Sequence, residues 1–500
     1  MRFFAAFLIV LLGISLLFPL IYSTVASDRD EGVFLLIARE LKDGSVLYKD
    51  YVDNKPPGIF FMLIPIVMLA GTDVLKIRLA AAAINLLTAL FIFLIGKKIG
   101  NEKAGAVAAV IYVLLINGFQ YVGFLFKTET ISNLFICAGV YLLMCKEKKE
   151  WRYVAVGIML AFAGMIRQVS MYALLPVAYW IWTTERQKLR KFALVGVGLL
   201  LGLLPFLYYL VSNGVLADML YYTTTGIADV NNMNAIGHFE ISSFVGSVIL
   251  TSTGFETLFL FLAASYSVKA RKREAETKFL WFWFLIALAL TPMSAFITIF
   301  FMMMAAVPLC LLAAIGIMGA AEEFKELWTG KPAAFERYVK LCLLVLFFAV
   351  TVLMYPLSVN GRSEEGGVFA NSVTSKDVQY VQDFFEKEGA TRPTFFVIMT
   401  EPELYYLLNA KCVVRFPFMS TTGFIEGDEK TFEAEIIARL KDAEVSYIIL
   451  NGKKEFWEAN VAGDVKESKN FRNLMAFVEG NYVEKGEKDG IVIYARKEPK

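Results

Sequence analysis

The chain contains a series of apolar runs that are long enough to cross a lipid bilayer as helices. The first run comprises residues 3–22, and a helix needs about 20 apolar residues to cross the hydrocarbon core. Hydrophobic residues make up 57% of the chain and charged residues 19%, which is far more apolar than a soluble average. The sequence therefore predicts a polytopic α-helical membrane protein with about eleven transmembrane helices. The later crossings are predicted at 76–96, 104–121, 129–145, 153–168, 171–184, 192–212, 242–267, 279–292, 295–319 and 339–357.

The distribution of basic residues predicts the orientation of these helices. Lys and Arg cluster in the loops 96–103, 145–152, 185–191, 269–278 and 320–340, and such loops usually face the cytoplasm. All five loops lie on the cytoplasmic side if the short apolar segment 58–70 does not span the membrane. We interpret that piece as a juxtamembrane or re-entrant helix opened by two prolines, because proline is tolerated at a helix start. The amino terminus is then cytoplasmic and the carboxyl terminus extracytoplasmic.

The composition changes near residue 358, which predicts a domain boundary between 1–357 and 358–500. In the second part, TSKDVQYVQDFFEKEG and KTFEAEIIARLKDA have the apolar spacing of helices. Four short segments read as strands: TFFVIM, CVVRFP, VSYIILN and GIVIYAR. The sequence therefore predicts a small α/β domain, which lies outside the membrane by the parity of the crossings.

The first outer loop, residues 23–75, contains the acidic cluster with the strongest functional signal. Asp28, Asp30 and Glu31 stand directly after the first apolar run, and charged groups beside a membrane are usually retained for a function. A purely structural interpretation is also open. Asp28 and Glu31 have the spacing of a capping box, and Val33, Leu36, Ile37 and Leu41 would form one face of an amphipathic helix.

Three further charged residues are predicted on the outer side. Lys55 precedes two prolines, Glu129 begins the fourth crossing, and Arg167 ends the fifth. The two cations could bind an anionic lipid head group beside a carboxylate. Alternatives remain open, because Lys55 and Arg167 could extend towards lipid head groups, and Glu129 could cap its helix or pair with Lys127.

Several classes of protein are excluded by the composition. A net charge of +2 without a basic patch argues against nucleic-acid binding. The five cysteines lack paired spacing, which argues against a disulfide framework or a thiolate metal site. The single histidine argues against a zinc or haem centre built on imidazole. Gly196, Gly198 and Gly202 lie inside an apolar crossing, which favours helix packing over dinucleotide binding.

Five motifs in order resemble the GT-C glycosyltransferases, especially the protein O-mannosyltransferase and aminoarabinose transferase group. The motifs are DRDEGVF, LKDGSVLYKDY, DNKPPGIFFML, TETISNLF and GMIRQVS, and the resemblance covers roughly residues 1–210. It implies a transmembrane GT-C-like catalytic domain over 1–357. It also implies transfer of a sugar from a polyprenyl-phosphate donor to a lipid, glycan or protein acceptor at the outer membrane face, by inverting direct displacement.

The resemblance also implies roles for individual residues. Asp30 corresponds to the general base, with Glu31 as its catalytic neighbour, and Glu129 is the acid of the second outer loop. Lys55 and Arg167 correspond to residues near the donor phosphate. Further candidates are Asp28, Asp53 and Gln168. We assign no metal or other cofactor, although some relatives use a divalent metal that Asp28, Asp30 and Glu31 could bind.

A transporter or flippase of lipid-linked sugars is the main alternative function, because it would also place charged groups near a membrane cavity. Transporters usually contain paired repeats and charges at the bilayer midplane, and we find neither in the sequence. A scaffold protein with a sensing outer domain ranks last, since it leaves the order of Asp30, Lys55, Glu129 and Arg167 unexplained.

Overall fold

The computed structural model of the chain describes a set of ranges that together include most of the predicted elements. The ranges are 2–21, 29–117, 121–145, 149–225, 260, 263–268, 274–289, 302–329, 375–390, 393–398, 402–417, 429–451 and 472–497. The chain divides into two compact units. The helical unit comprises Met1–Leu20, Leu79–Pro205 and His238–Arg362, and the mixed unit comprises Ile21–Arg78, Phe206–Gly237 and Ser363–Lys500.

Up to residue 225, the described ranges consist mainly of helices joined by turns and loops. The helices are α1 (Arg2–Ile21), α2 (Arg29–Lys42), α3 (Gly58–Ala70), α4 (Val74–Ile99), α5 (Glu102–Ile116), α6 (Thr128–Leu143), α7 (Trp151–Ile166), a 3-10 helix (Gln168–Ala173), α8 (Leu174–Thr184), α9 (Lys188–Ser212), α10 (Leu216–Leu220) and a π-helical turn (Tyr221–Thr225). Two further long apolar helices follow, α11 (Glu274–Ala289) and α12 (Met302–Thr329).

Three of the described helices are long and apolar enough to cross a membrane. They are Val74–Ile99, Lys188–Ser212 and Met303–Glu322. Shorter apolar helices include Gly58–Ala70, Thr128–Leu143 and Trp151–Ile166. The chain is therefore a helical membrane protein, while the count of eleven crossings stays a prediction, and the crossings expected at 242–267 and 339–357 fall mostly or wholly outside the described residues.

Glycines allow α7 and α9 of the helical unit to pack closely. A Cβ atom added to Gly198 would lie 2.0 Å from the carbonyl oxygen of Val154, and one added to Gly202 would lie 2.6 Å from the Cβ of Ala161. Gly196 has open space around it. The predicted helix-packing role is therefore confirmed at Gly198 and Gly202, where small residues let two backbones approach, and is wrong at Gly196.

The carboxyl-terminal part of the mixed unit contains helices and one four-stranded sheet. The helices are α13 (Ser375–Lys387), α14 (Pro402–Leu407), α15 (Glu429–Asp442) and α16 (Arg472–Asn481). The strands are β1 (Phe395–Ile398), β2 (Tyr447–Asn451), β3 (Tyr482–Lys488) and β4 (Ile491–Arg496), in the order β1-β2-β4-β3. β1 pairs with β2 in parallel, and the other pairs are antiparallel.

The predicted strand in CVVRFP is wrong, because residues 412–417 form no strand in this sheet. Their backbone bonds instead to the first outer loop. The Tyr51 hydroxyl donates to the Cys412 carbonyl at 2.9 Å, and the Val52 N–H donates to the Arg415 carbonyl at 2.9 Å. An extended segment whose polar groups are satisfied by a distant loop has no need of a strand partner.

The helix predicted after the first acidic cluster forms as α2, but neither its apolar nor its polar face is exposed. Every residue from 31 to 40 is buried, including both faces of the helix. Within the mixed unit, α2 packs against α3 on one side and α14 on another, and a Cβ atom on Gly32 would lie 2.7 Å from the Glu403 backbone nitrogen. The side predicted to face water is thus covered by a helix from the carboxyl-terminal part.

Candidate active site

Asp30 and Glu31 occupy the first turn of α2, but their surroundings differ. Asp30 is partly exposed, whereas Glu31 is fully buried. The Nη1 atom of Arg78 donates to both carboxylate oxygens of Glu31, at 2.7 and 2.9 Å, and neither side chain contacts solvent. Arg78 was missed by the sequence prediction. Its signal was a charged residue inside the apolar run of α4, a position that usually implies a specific partner.

The turn formed by residues 48–55 presents Lys55. The Tyr48 N–H donates to the Tyr51 carbonyl at 2.7 Å, and the Tyr48 hydroxyl donates to the Lys55 carbonyl at 2.7 Å. The Asp53 carboxylate accepts the Lys55 N–H at 2.8 Å. The Lys55 ammonium donates to the Asn54 side-chain oxygen at 2.5 Å. The backbone around Lys55 is therefore fixed from both sides, and two prolines follow it.

The pKa of Asp53 is shifted by its surroundings in this turn. Burial raises the pKa of its carboxyl from 3.8 to about 6, against the opposing effect of the nearby Lys55 charge and N–H. The negative charge of Asp30 also raises the pKa of Asp53. We refer to Asp30, Asp53 and Lys55 as the mixed-unit cluster: Asp53 accepts the Lys55 N–H, and the charge of Asp30 acts on the Asp53 carboxyl.

Glu129 and Arg167 form a second cluster, within the helical unit. Glu129 lies on the first turn of α6, and Arg167 directly follows α7. The Arg167 Nη1 atom lies 2.9 Å from a Glu129 carboxylate oxygen and donates to the Thr128 hydroxyl at 2.8 Å. That hydroxyl donates to the other Glu129 oxygen at 2.8 Å. Glu129 thus pairs with an arginine, and Arg167 is held in place rather than extended towards lipid.

The remaining candidate residues are placed as follows. Gln168 begins the 3-10 helix after α7 and is partly exposed. Asp28 lies outside the described residues. Within the ranges that the structure describes, no group of three or more His, Cys, Asp or Glu side chains is arranged to hold a metal ion.

The mixed-unit cluster has the groups that an acid–base and anion-binding reaction requires. Asp30 is a carboxylate with access to solvent, so it can accept a proton from a bound nucleophile. Lys55 is a partly exposed cation on a constrained turn, and such cations stabilise developing negative charge on a phosphate. The chain is thus a helical membrane protein with a charged cluster between its first long apolar helices, in the segment 23–75.

The fold is that of the GT-C glycosyltransferases. ArnT from Cupriavidus metallidurans, solved with undecaprenyl phosphate, matches with a TM-score of 0.63 and 12% identity over 99% of this chain and 98% of that chain. The archaeal oligosaccharyltransferase AglB from Archaeoglobus fulgidus, solved with an inhibitory peptide and a dolichol-phosphate, matches with a TM-score of 0.56 and 11% identity over 99% of this chain and 74% of that chain.

The sequence also matches a family model. Residues 54–211 match the model described as dolichyl-phosphate-mannose-protein mannosyltransferase. A comparison with curated proteins gave no match. The resemblance to the GT-C group that the motifs indicated is therefore confirmed.

Proposed function

We propose that the protein is a membrane glycosyltransferase that moves a sugar from a polyprenyl-phosphate donor to an acceptor at the outer membrane face. The observation that carries the proposal is the fold match with ArnT, a protein solved with undecaprenyl phosphate, in a chain that holds Lys55 on a constrained turn beside Asp53. The acceptor is a lipid, a glycan or a protein. In this proposal the amino terminus is cytoplasmic and the carboxyl-terminal domain, residues 358–500, is extracytoplasmic, as the basic loops predict.

Asp30 is the general base of the proposed reaction. It removes a proton from the acceptor nucleophile, which attacks the anomeric carbon as the bond to the donor phosphate breaks. A single displacement of this kind inverts the anomeric centre. The departing polyprenyl phosphate carries the negative charge and is already a good leaving group, so no second carboxylic acid is needed to protonate it, in contrast to glycoside hydrolysis.

Lys55 and Arg167 stabilise the charge on the donor phosphate. Lys55 supplies an ammonium from the 48–55 turn, and Arg167 supplies a guanidinium whose orientation is fixed by Glu129 and Thr128. Both assignments come from the resemblance to the GT-C group. Glu129 accordingly acts by orienting Arg167.

Glu31 supports the base instead of reacting. Both of its oxygens accept hydrogen bonds from Arg78 in a fully buried pair, which leaves its carboxylate engaged. We assign it the role of fixing the first turn of α2 and hence the adjacent Asp30.

The test is label transfer by the purified protein in lipid, with radiolabelled polyprenyl-phosphate sugars as donors and a membrane extract as the source of acceptors. Asp30→Asn should lose transfer by about 10²–10⁴-fold, the usual contribution of a general base, while donor binding survives. Asp43→Asn is the matched control, because Asp43 is an exposed acid just after the same helix. Equal transfer by Asp30→Asn and the native chain would remove Asp30 as base, and no transfer from any donor would favour a transporter.

A further inference from the structure

A stretch of the carboxyl-terminal part, residues 402–417, is bound along the first outer loop of the same unit. We call it the anchor segment. Arg39 of α2 donates to the Tyr405 carbonyl at 3.1 Å, and the Tyr406 hydroxyl donates to the Gly71 carbonyl. Tyr51 donates to the Cys412 carbonyl at 2.9 Å. These bonds tie the anchor segment to α2, to the residue that follows α3, and to the connection between the two helices, which contains Lys55.

Arg415 of the anchor segment reaches the turn that presents Lys55. Its Nη2 atom donates to the Tyr48 carbonyl at 3.1 Å and to the Tyr222 hydroxyl at 3.4 Å. Its own carbonyl accepts the Val52 N–H at 2.9 Å. Since Tyr48 in turn donates its hydroxyl to the Lys55 carbonyl at 2.7 Å, an unbroken series of bonds runs from Arg415 through Tyr48 to Lys55.

Tyr48 adopts a backbone conformation that requires such support. Its φ angle is +69° and its side chain is fully buried. A bulky residue with positive φ is strained by about 1–3 kcal/mol and keeps that conformation where its surroundings over-determine it. Tyr48 is held at its N–H by Tyr51, at its carbonyl by Arg415 and at its hydroxyl by Lys55. Of these three hydrogen bonds, the one from Arg415 comes from outside the turn.

We propose that Arg415 is a positioning residue that holds Lys55 in its donor-binding geometry by fixing Tyr48. This inference rests on the proposed function, in which Lys55 binds the donor phosphate. The carboxyl-terminal part then contributes to donor binding through the 48–55 turn. A guanidinium that donates to a backbone carbonyl fixes it with a charge-assisted hydrogen bond, which is stronger than a neutral one.

The experiment measures the Kd of undecaprenyl phosphate for the purified full-length protein in lipid nanodiscs. The variants are Arg415→Ala, Arg415→Lys, Tyr48→Phe, Lys55→Ala and the double variant Lys55→Ala with Arg415→Ala. Arg439→Ala is the matched control, because Arg439 is a partly exposed arginine of the same unit that pairs with Glu435 on its own helix. The thermal unfolding midpoint of each variant is recorded in the same preparation.

Arg415→Ala and Tyr48→Phe are expected to raise Kd about tenfold, the scale for loss of a hydrogen bond to a charged or buried group. Arg415→Lys should recover part of the loss, because an ammonium can still donate to the Tyr48 carbonyl. The double variant should bind no more weakly than Lys55→Ala, because Arg415 acts through Lys55.

The outcomes separate this inference from the proposed function. If Lys55→Ala weakens binding while Arg415→Ala and Tyr48→Phe behave like Arg439→Ala, Lys55 keeps its role and the positioning role of Arg415 is refuted. Additive losses in the double variant would also refute it, since Arg415 would then act independently of Lys55. If Lys55→Ala binds as tightly as the native chain, the proposed phosphate role of Lys55 fails, and the inference fails with it.

Discussion

Two Glu–Arg pairs, one in each compact unit, have the same chemistry but different access to solvent. Glu31 pairs with Arg78 at 2.7 Å, and the exposed fraction of both side chains is 0%. Glu129 pairs with Arg167 at 2.9 Å, and the exposed fractions are 3% and 12%. In each pair the acid lies on the first turn of a helix, where negative charge is favourable.

The difference in exposure separates a structural pair from one suited to ligand binding. A fully buried pair is locked, because removing either partner leaves an uncompensated charge in a low dielectric. Arg167 retains contact with solvent and shares its Nη1 atom between Glu129 and Thr128. It can therefore exchange part of its interactions with an incoming anion at lower cost, as its proposed role at the donor phosphate requires.

The largest effect is expected from breaking the fully buried pair. Glu31→Ala should destabilise the protein by about 3–5 kcal/mol, because it leaves the Arg78 charge buried without its partner. Thermal unfolding of the purified protein in detergent measures this, and poor recovery of folded protein is the accompanying sign.

A double variant controls for the loss of charge itself. Glu31→Leu combined with Arg78→Met removes both charges and should recover most of the lost stability, since apolar replacements of buried pairs are often neutral. If Glu31→Ala unfolds at the same temperature as the native chain, the Glu31–Arg78 pair does not stabilise the fold. The proposed difference between this pair and the Glu129–Arg167 pair would then be refuted.

The sequence drew attention to individual charged residues but did not predict which residues they would pair with. The motif order selected Asp30, Lys55, Glu129 and Arg167, and the structure places these residues in two clusters. Glu31 was selected as a catalytic neighbour, yet its partner lies 47 positions away in α4. Local patterns contain no information on which of many apolar helices will supply a charge to satisfy such an acid.

The errors in the fold have the same physical origin. Residues 412–417 alternate as a strand would, but their backbone partners lie more than 300 positions earlier in the chain, in the first outer loop. The burial of α2 on all sides depends on α14, which is six residues long and has too few residues for a recognisable helical period. The long apolar helices were predictable because their length alone meets the requirement of a bilayer.

A smaller effect on stability, with a larger one on activity, is expected for the Glu129–Arg167 pair. Arg167→Lys keeps the positive charge but loses the planar guanidinium that reaches Glu129 and Thr128 together. We expect a loss of about 1–2 kcal/mol in the free energy of unfolding and a fall in label transfer of about tenfold or more.

Lys278→Ala serves as the control, since Lys278 is an exposed cation paired with Glu274 on one turn of α11. A stability loss for Arg167→Lys as large as that for Glu31→Ala would make the two pairs equivalent and contradict the distinction drawn between them.

The smallest effect on stability is expected from the ionisation of Asp53. This buried acid accepts a hydrogen bond from a backbone N–H, whereas Glu31 and Glu129 pair with guanidinium groups. Burial raises its pKa from 3.8 to about 6. Between these pH values the folded protein binds more protons than the unfolded chain, so its stability should fall as pH rises through this window. Asp53→Asn has no titrating group there, and its unfolding temperature should fall less over the same range. Asp50→Asn, at an exposed acid of the same loop, should keep the native slope. Identical slopes for the native chain and Asp53→Asn would mean that Asp53 ionises without cost, and that a buried acid on this turn needs no cationic partner of the kind that Glu31 has in Arg78.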